Sequence, residues 1–437
     1  MFDPGGFDSR GVGVNLAEIA AALRQWDRDL DDAARIDVLG ALEEVKAVCA
    51  ATQARVTADL NTSIRASRAE LPMAQRGRGI ANQVALARRD APSRGDKHLG
   101  FAIALVHEMP HTLARLETGA LSEWRATLLV QETACLTRED RSTVDAVLCA
   151  DPATLNGLGD NAIKAKARAA AADLDVEAMV RRARKAVGDR HVASRPAPDT
   201  MAYVSALLPV AQGVAVHTTL GRDADTLVAA GDERTRAQIM ADLLVERVTG
   251  LSDATAMPPI TVNLVISDQA LLGDGSEPAH VQGYGPVPTA LAKQWIRNAA
   301  EQSETETLLR QIYANPDTGA LTATESRARI FPKGLARLID LRDRTCRTPW
   351  CDAPIRHHDH IHSHGSGGRT TADNGAGLCA ACNYAKQGAG WTASGHREPG
   401  QLHVMVIRTP TGHRYRSTAP PLPKPLPFIE PTSGNDD

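Results

Sequence analysis

Apolar residues recur at helical spacing over the first part of the chain. Leu16, Ile19, Leu23 and Trp26 follow steps of three and four residues, and a second set does the same: Leu39, Leu42, Val45 and Val48. A repeat near 3.6 residues is typical of a helix that buries one face. We therefore predict helices from about residue 15 to residue 68, with these apolar side chains turned toward a core.

Short polar residues indicate where further helices begin. Ser122 precedes Glu123, Thr137 stands three residues before Asp140, and Asp175 opens another apolar stripe. Side chains of these types satisfy the free N–H groups of a helix start, so we predict three N-caps. By contrast, residues 76–100 contain several glycines and a proline, and they predict a polar loop with a helix after it.

The second half mixes short strands and helices. Alternating apolar residues from Ile260 to Ile266 predict a strand, and Asn315-Pro316-Asp317-Thr318-Gly319 predicts a turn between two short strands. A helix is expected after Pro332, with Leu335, Leu338 and Ile339 inward. A proline-rich run from Pro420 predicts an extended, disordered end.

These patterns predict an α+β protein with four segments. Residues 1–14 are expected to be a disordered N-terminus, and residues 15–325 a mostly helical domain with a few strands. Residues 326–416 are expected to form a small C-terminal module, and residues 417–437 a disordered tail. The length of 437 residues suits two or three domains. The aromatic content of 3% favours packed helices over an aromatic-rich β-sandwich.

Charge is unevenly distributed along the chain. Residues 327–416 carry 14 Lys and Arg against 6 Asp and Glu, whereas the remainder carries 35 against 46. The C-terminal module is therefore basic and the rest is acidic. The sequence has neither a signal peptide nor an apolar run of transmembrane length, so we expect a cytoplasmic protein without disulfides.

Four of the seven cysteines form two close pairs in the basic module. Four residues separate Cys346 from Cys351, and two separate Cys379 from Cys382. Zn²⁺ prefers a tetrahedron of soft ligands, and pairs at these spacings can direct four sulfurs at one ion. Four thiolates leave no position for a substrate, so the sequence predicts a structural zinc site.

Five histidines stand between the cysteine pairs, in the eight residues from His357 to His364. A Gly-rich turn follows, and then Asp373-Asn374. A solvated His-rich strand with incidental metal affinity would explain the composition alone. The flanking cysteines and the local positive charge favour a chemical role instead.

Taken together, residues 342–391 resemble a zinc-supported HNH endonuclease with the ββα-metal fold. The likeness rests on the order and spacing of the two cysteine pairs, Asp359-His360, Gly367-Gly368, Asn374, Asn383 and Lys386. The wider chain, with Ala-rich helices before this module, is similar to actinobacterial repeat-element proteins. Those proteins join domain of unknown function 222 to a C-terminal HNH domain.

The resemblance implies a role for each motif residue. His360 would be the general base, because a neutral imidazole titrates near working pH. Asp359 and Asn383 would hold one divalent ion through hard oxygens, which suits Mg²⁺ or Mn²⁺. Asn374 would brace the loop that carries His360. Lys386, three residues after Asn383, could bind a neighbouring phosphate.

The residues after His360 leave the metal sphere open. Relatives often have an apolar residue and proline there, whereas this chain has Ile361-His362-Ser363-His364. His362 or His364 could bind the ion and permit Ni²⁺, Co²⁺ or Zn²⁺. His358 could point to the same side of the strand as His360.

DNA is the expected partner and substrate. Five basic residues near the motif are candidate phosphate contacts: Arg342, Arg344, Arg347, Arg369 and Lys386. The leading hypothesis is therefore a metal-dependent endodeoxyribonuclease. The alternative is a catalytically inactive, zinc-stabilised protein that binds nucleic acid or acts as an adaptor. The helical part could also form a homo-oligomer.

Overall fold

A computed structural model gives the protein a mostly helical architecture with several small antiparallel sheets. It describes residues 16–26, 29–250, 264–273, 275–301, 325–326, 330–398 and 400–422. No helix in these ranges is both long enough and apolar enough to cross a lipid bilayer.

Nine helices begin the described chain. They are α1 (Leu16–Arg24), α2 (Asp32–Ser67), α3 (Met73–Arg76), α4 (Ile80–Ala87), α5 (Pro92–Glu108), α6 (Pro110–Glu117), α7 (Glu123–Glu132), α8 (Arg138–Cys149) and α9 (Asp160–Ala186). Their main core is built on the second half of α2, where Ala47, Ala50, Ala51 and Ala54 are buried. Alanine lets helices approach closely, which explains how a chain with few aromatics packs this bundle.

The apolar stripe that opens the chain is not buried as predicted. Helix α1 has no buried residue, and in α2 the buried positions begin only at Ala47. Leu16, Trp26 and Leu39 are all more than half exposed. Helical spacing identified the helices correctly, but it could not show that the bundle covers only the later half of α2.

The three predicted N-caps are confirmed. The Ser122 and Thr137 hydroxyls accept the backbone N–H of Arg125 and Asp140 at the starts of α7 and α8. Asp175 lies at a kink within α9 and accepts the N–H of Ala178, so it caps the second half of that helix. These local rules held because a cap depends on neighbouring residues and little on tertiary packing.

The predicted polar loop over residues 76–100 is wrong. That segment contains the whole of α4 and the first half of α5. Pro92 occupies the first turn of α5, where its missing N–H costs nothing. Gly95 lies where α5 crosses α4, and a Cβ there would stand 2.1 Å from the Ala81 carbonyl oxygen. Proline and glycine therefore mark a helix start and a close helix contact.

Replacing Gly95 with alanine is expected to destabilise the bundle by about 1–3 kcal/mol, because α4 and α5 must separate to admit the methyl group. Gly100 lies on the same helix with nothing within 4 Å of its Cβ position. Gly100→Ala should therefore raise stability by up to about 1 kcal/mol through helix propensity. Urea unfolding measures the free energy of unfolding of both variants. Equal changes in the two would contradict the close contact between α4 and α5 at Gly95.

The middle of the chain contains smaller units. An exposed antiparallel hairpin pairs β1 (His191–Pro196) with β2 (Ala202–Leu207), and it is followed by α10 (Val210–Ala229) and α11 (Arg236–Thr249). The next unit along the chain is a three-stranded sheet on which α13 packs. Its elements are β3 (Leu264–Val265), α12 (Asp268–Leu272), β4 (Ala279–Val281), β5 (Gly285–Val287) and α13 (Thr289–Glu301). Strand β3 confirms part of the strand predicted for residues 260–266. Ile266 follows the strand, whereas residues 260–263 and the turn at 315–319 lie outside the described residues.

The C-terminal module contains the predicted helix after Pro332, as α14. Its elements are β6 (Glu325–Ser326), α14 (Lys333–Asp343), β7 (His357–His360), β8 (Thr370–Thr371), β9 (Gly375–Leu378), α15 (Ala380–Lys386), β10 (Thr392–His396), β11 (Val404–Arg408) and β12 (Arg414–Thr418). Strand β7 pairs antiparallel with β9, α15 follows β9, and β10, β11 and β12 form a separate sheet. Leu422 is buried and β12 includes residues 417–418, so this part of the predicted tail is ordered. The remaining predicted termini, residues 1–14 and 423–437, lie outside the described residues.

The module packs directly on the helical bundle. Leu86 of α4 belongs to the same apolar cluster as Trp391 and the four paired cysteines. Gly79 has φ +79° and lies against the Trp391 indole, where a Cβ would stand 2.6 Å from Nε1. Arg78 donates to the Tyr384 carbonyl at 3.1 Å, at the end of α15. The bundle therefore helps to hold the helix that carries Asn383.

Candidate functional site

The four paired cysteines form one buried cluster. The sulfurs of Cys346, Cys351, Cys379 and Cys382 all lie within 4.8 Å of one another. The Cys351 sulfur is 3.8 Å from that of Cys379 and 3.7 Å from that of Cys382. Zn–S bonds of about 2.3 Å in a tetrahedron place the sulfurs about 3.8 Å apart. The cluster could therefore bind a metal such as zinc.

Local backbone structure directs these sulfurs. Cys379 is the N-cap of α15, and its sulfur accepts the N–H of Cys382 at 3.4 Å. The pKa of the Cys379 thiol lies well below its usual range, because the neighbouring thiols, Cys346 foremost, donate hydrogen bonds to its sulfur. A stabilised thiolate is the form that binds a metal. The cluster therefore fixes the first turn of α15, in which Cys382 directly precedes Asn383.

The histidine-rich strand β7 presents two different faces. His358 contacts Asp340 of α14 at 2.7 Å, and the His360 ring lies 4.7 Å from that of Phe331. Asp359 instead points toward α15, where its Oδ2 is 2.8 Å from the Lys386 ammonium. Alternation along a strand separates neighbouring side chains in this way. The structure therefore places the predicted metal ligand Asp359 and the predicted base His360 on opposite faces of β7.

Asn383 lies on the side of α15 that meets β7. Lys386 reaches Asp359 and donates to the His360 carbonyl oxygen, while the Tyr384 ring contacts that of His357. Successive side chains of an α-helix are rotated by about 100°, so the Asn383 side chain projects in a direction between those of Lys386 and Tyr384. The Asn383 side chain is buried, and its Oδ1 has no hydrogen-bond donor. A buried oxygen without a donor is costly, and a cation would satisfy it.

Asn374 connects the two ends of the loop after His360. Its Oδ1 accepts the His362 N–H at 2.8 Å, and its Nδ2 donates to the carbonyls of His362 and Arg369 at 3.0 and 2.8 Å. The Asn374 carbonyl also accepts the Ile361 N–H at 2.7 Å. These four bonds fix the chain on both sides of the Gly-rich turn.

His360 occupies a buried position at the end of β7. Its Nε2 lies 2.8 Å from the Thr370 hydroxyl, and its ring lies 5.4 Å from that of His364. A hydroxyl that accepts from Nε2–H would leave the ring lone pair on Nδ1, although the tautomer depends on which partner donates. Neither Thr370 nor Phe331 was predictable from sequence, because neither belongs to a spacing pattern.

His362 and His364 are exposed on the loop. Within the described ranges, the cysteine quartet is the one group of three or more His, Cys, Asp and Glu side chains whose ligand atoms lie together. The structure therefore does not bring His362 or His364 into such a group with Asp359. A metal sphere in which His362 or His364 joins Asp359 and Asn383 stays a prediction.

Two of the predicted DNA contacts are wrong because their side chains are buried. Arg342 and Arg347 are 6% and 2% exposed, and both guanidinium groups lie beside the Asp343 carboxylate. Arg342 also donates to the carbonyls of Ala372 and Gly375. Burial lowers the pKa of Arg347 to about 10. Arg342 thus holds α14 against the start of β9, and Arg347 donates to the carbonyls of His403 and Ser417. Buried in this way, neither side chain can reach a phosphate from solvent.

Replacing Asp343 with asparagine is expected to cost about 3–5 kcal/mol of stability, because two buried guanidinium groups would lose their shared carboxylate. Asp343 is itself 2% exposed and also accepts the Gly377 N–H. Asp352→Asn, at an exposed position, removes the same charge and should change stability by under about 1 kcal/mol. Thermal unfolding compares the Asp343→Asn and Asp352→Asn variants. Similar midpoints would contradict the role of Asp343 as the shared partner of two buried guanidinium groups.

The other predicted phosphate contacts have different environments. Arg344 is half-buried and donates to the Pro421 carbonyl, and burial lowers its pKa. Arg369 is exposed on the loop braced by Asn374. Lys386 is mostly buried in its ion pair with Asp359. Of the five predicted contacts, Arg369 is the one whose side chain is exposed.

The fold and the site define a helical protein that carries a small C-terminal α/β module able to bind a metal through four cysteines. The chain belongs to the family described as "Domain of unknown function (DUF222)", which matches residues 39–343. No curated protein matches the chain, and no solved structure does. The family match ends with α14, so the four cysteines, β7 and α15 lie beyond it.

Proposed function

We propose that the protein is a metal-dependent endonuclease of the HNH type that hydrolyses DNA phosphodiester bonds. The observation that carries the proposal is the buried Asn383 Oδ1, which lacks a donor on the face of α15 that meets Asp359. A carboxylate and a carboxamide oxygen are hard ligands that suit Mg²⁺ or Mn²⁺. The antiparallel pair of β7 and β9 followed by α15 has the element order of the ββα-metal fold, which supports the same proposal.

In this proposal, zinc in the cysteine cluster is structural. Four thiolates complete its coordination and exclude substrate. Its role is to hold the start of α15, so that Asn383 stays opposite β7. The catalytic ion would be a second, hard cation held by Asp359 and Asn383. When bound, that ion would supply a Lewis acid and stabilise the leaving oxygen.

His360 acts as the general base in the proposed reaction. With Nε2–H donating to the Thr370 hydroxyl, the ring would be oriented so that the lone pair on Nδ1 takes the proton of the attacking water. Because β7 ends at His360, the attacking water would be deprotonated at the end of the strand, where its two faces meet. Asn374 keeps this end in place through its bonds to the following loop.

Lys386 holds the Asp359 carboxylate in the proposed resting site. Its ammonium group also donates to the His360 carbonyl, so it links the strand to α15. A divalent ion at Asp359 would compete with this ammonium group. Lys386 would then move toward a DNA phosphate, which is the role the sequence analysis gave it.

Incubation of the purified full chain with supercoiled plasmid tests the proposal. We expect nicking with added Mg²⁺ or Mn²⁺ and little without a divalent ion. His360→Ala should lower the rate by about 10²- to 10⁴-fold, the usual contribution of a general base. His217→Ala, at an exposed histidine on α10, serves as the matched control and should retain activity. Nicking that is unchanged in His360→Ala would exclude the proposed mechanism.

The same assay separates the proposal from its alternative. A zinc-stabilised module that only binds nucleic acid, or serves as an adaptor, would leave the plasmid intact with every divalent metal. The opposite faces of Asp359 and His360 favour this alternative, whereas the buried Asn383 oxygen favours the enzyme. Cytoplasmic location and self-association of the helical part stay predictions.

A further inference from the structure

The outward face of the three-stranded sheet at the end of the module carries a cluster of unpaired arginines. Arg408 lies directly opposite Arg414 in the pairing of β11 with β12, and Arg416 lies opposite Val406. All three arginines are exposed. We call this surface the arginine face; its nine residues are Thr392, Ser394, His396, Val404, Val406, Arg408, Arg414, Arg416 and Thr418.

The arginine face contains no acidic residue. Within the described part of the chain, no carboxylate lies within ion-pair distance of Arg408, Arg414 or Arg416. Glu398 approaches the face only at its far end, where it lies 3.6 Å from His396. The positive charge of the three guanidinium groups is therefore available to an external anion.

This arrangement costs stability in the folded protein. Like charges directly opposite each other on neighbouring strands repel, by up to about 1 kcal/mol per pair. The sheet does not need these arginines in order to fold, because Met405, Ile407 and Tyr415 on its other face are buried in the module core. Packing thus fixes the sheet, and the arginines contribute only to the outer surface.

We propose that the arginine face binds the phosphate backbone of double-stranded DNA. The Cα atoms of the three arginines lie about 5–8 Å apart on the sheet. Their guanidinium groups therefore match a surface of closely spaced negative charges, such as a row of phosphates. The face carries no Phe, Tyr or Trp side chain on which unpaired bases could stack, and this favours a duplex over a single strand.

The arginine face is distinct from the candidate catalytic strand. The inner side of β10 packs on the loop after His360, where a Cβ at Gly395 would stand 2.8 Å from the Ile361 side chain and from the Asp373 carbonyl. The arginines therefore point away from β7. In this inference, which rests on the proposed function only for its choice of DNA, the face tethers the duplex and does not contact the reacting phosphate.

Binding of the full chain to a fluorescent 30-base-pair duplex tests the inference without added divalent metal. The triple variant Arg408→Gln, Arg414→Gln, Arg416→Gln should bind about 10- to 100-fold more weakly at 100 mM salt. Its slope of log K against log salt should fall by about 2.7, which corresponds to three lost phosphate contacts. Unchanged zinc content and circular dichroism confirm that the variant is folded.

A matched control makes the same change in charge at exposed residues that are far along the chain from the arginine face: Arg24→Gln, Arg184→Gln and Lys185→Gln. This control should bind DNA as the wild type does, and a triple Arg→Lys variant of the arginine face should retain most of the affinity. Equal weakening in the control, or wild-type binding by the Gln variant, would overturn the inference. Binding to anionic phospholipid vesicles that depends on the arginine face, with unchanged DNA binding, would overturn it as well.

Plasmid nicking distinguishes this inference from the proposed function. If both are correct, the Gln variant should require more DNA for half-maximal nicking but reach a similar rate at saturation. Loss of DNA affinity in a protein that nicks no plasmid would support the arginine face and reject hydrolysis. Nicking by a wild-type protein whose DNA affinity does not depend on these arginines would reject the arginine face alone.

Discussion

Cys382→Ser is expected to remove the metal from the cysteine cluster and to unfold much of the C-terminal module. Structural zinc contributes about 10–16 kcal/mol of binding energy in small domains, which cannot fold without it. Here the cysteine sulfurs belong to the apolar cluster that also contains Leu378, Trp391 and Met405. Losing the ion would therefore disrupt the core on which α15 and the arginine-bearing sheet pack.

Metal analysis and thermal unfolding check this prediction together. The wild type should contain about one zinc per chain, and Cys382→Ser close to none, with a midpoint for the module lower by about 10 °C or more. Cys49→Ser is the matched control, since Cys49 is exposed on α2 and far from the cluster along the chain. A Cys382→Ser protein that retained full zinc and a wild-type midpoint would exclude a structural metal at this cluster.

The cysteine cluster was predictable from sequence because the chain itself sets most of its geometry. Only two residues separate Cys379 from Cys382, so the start of one helix aims both sulfurs to one side. The N-caps at Ser122 and Thr137 were predictable for the same reason. In each case the decisive contacts join residues a few positions apart.

Burial at long range was not predictable in this way. Arg342 and Arg369 are both arginines in a basic stretch, yet one is buried in a shared ion pair and the other lies on the surface. The difference depends on Asp343 and on carbonyls of Ala372 and Gly375, which are about thirty residues further on. Net local charge therefore predicted a DNA-binding module without identifying which arginines face the solvent.

The same limit applies to the apolar stripes and to the two sides of β7. Helical spacing in Leu16 and Leu39 predicted helices, whereas the position of the core along α2 depends on where α5 and α6 cross it. Adjacent Asp359 and His360 suggested convergence on one ion. Strand alternation sends their side chains to opposite faces, and only the packing of α14 and α15 shows what each one meets.

Asn383→Leu is expected to stabilise the protein and to abolish metal-dependent nicking. Without a donor, the buried Oδ1 carries an unpaid desolvation penalty of about 1–3 kcal/mol, which an apolar side chain of similar shape removes. The same substitution removes a proposed ligand of the catalytic ion. Stability and activity should therefore change in opposite directions, which a residue with only a packing role would not produce.

Urea unfolding of zinc-loaded protein without added Mg²⁺ or Mn²⁺ measures the stability change, and the plasmid assay measures activity. Asn383→Asp supplies a hard oxygen at the same position, so it should retain metal-dependent nicking and gain stability when Mn²⁺ is added. Ala385→Ser alters a neighbouring buried position of α15 without touching the ligand set and should leave the metal response intact. Wild-type nicking by Asn383→Leu would show that the orphaned oxygen serves no catalytic ion, because a carboxamide that holds the ion cannot be replaced by a hydrocarbon.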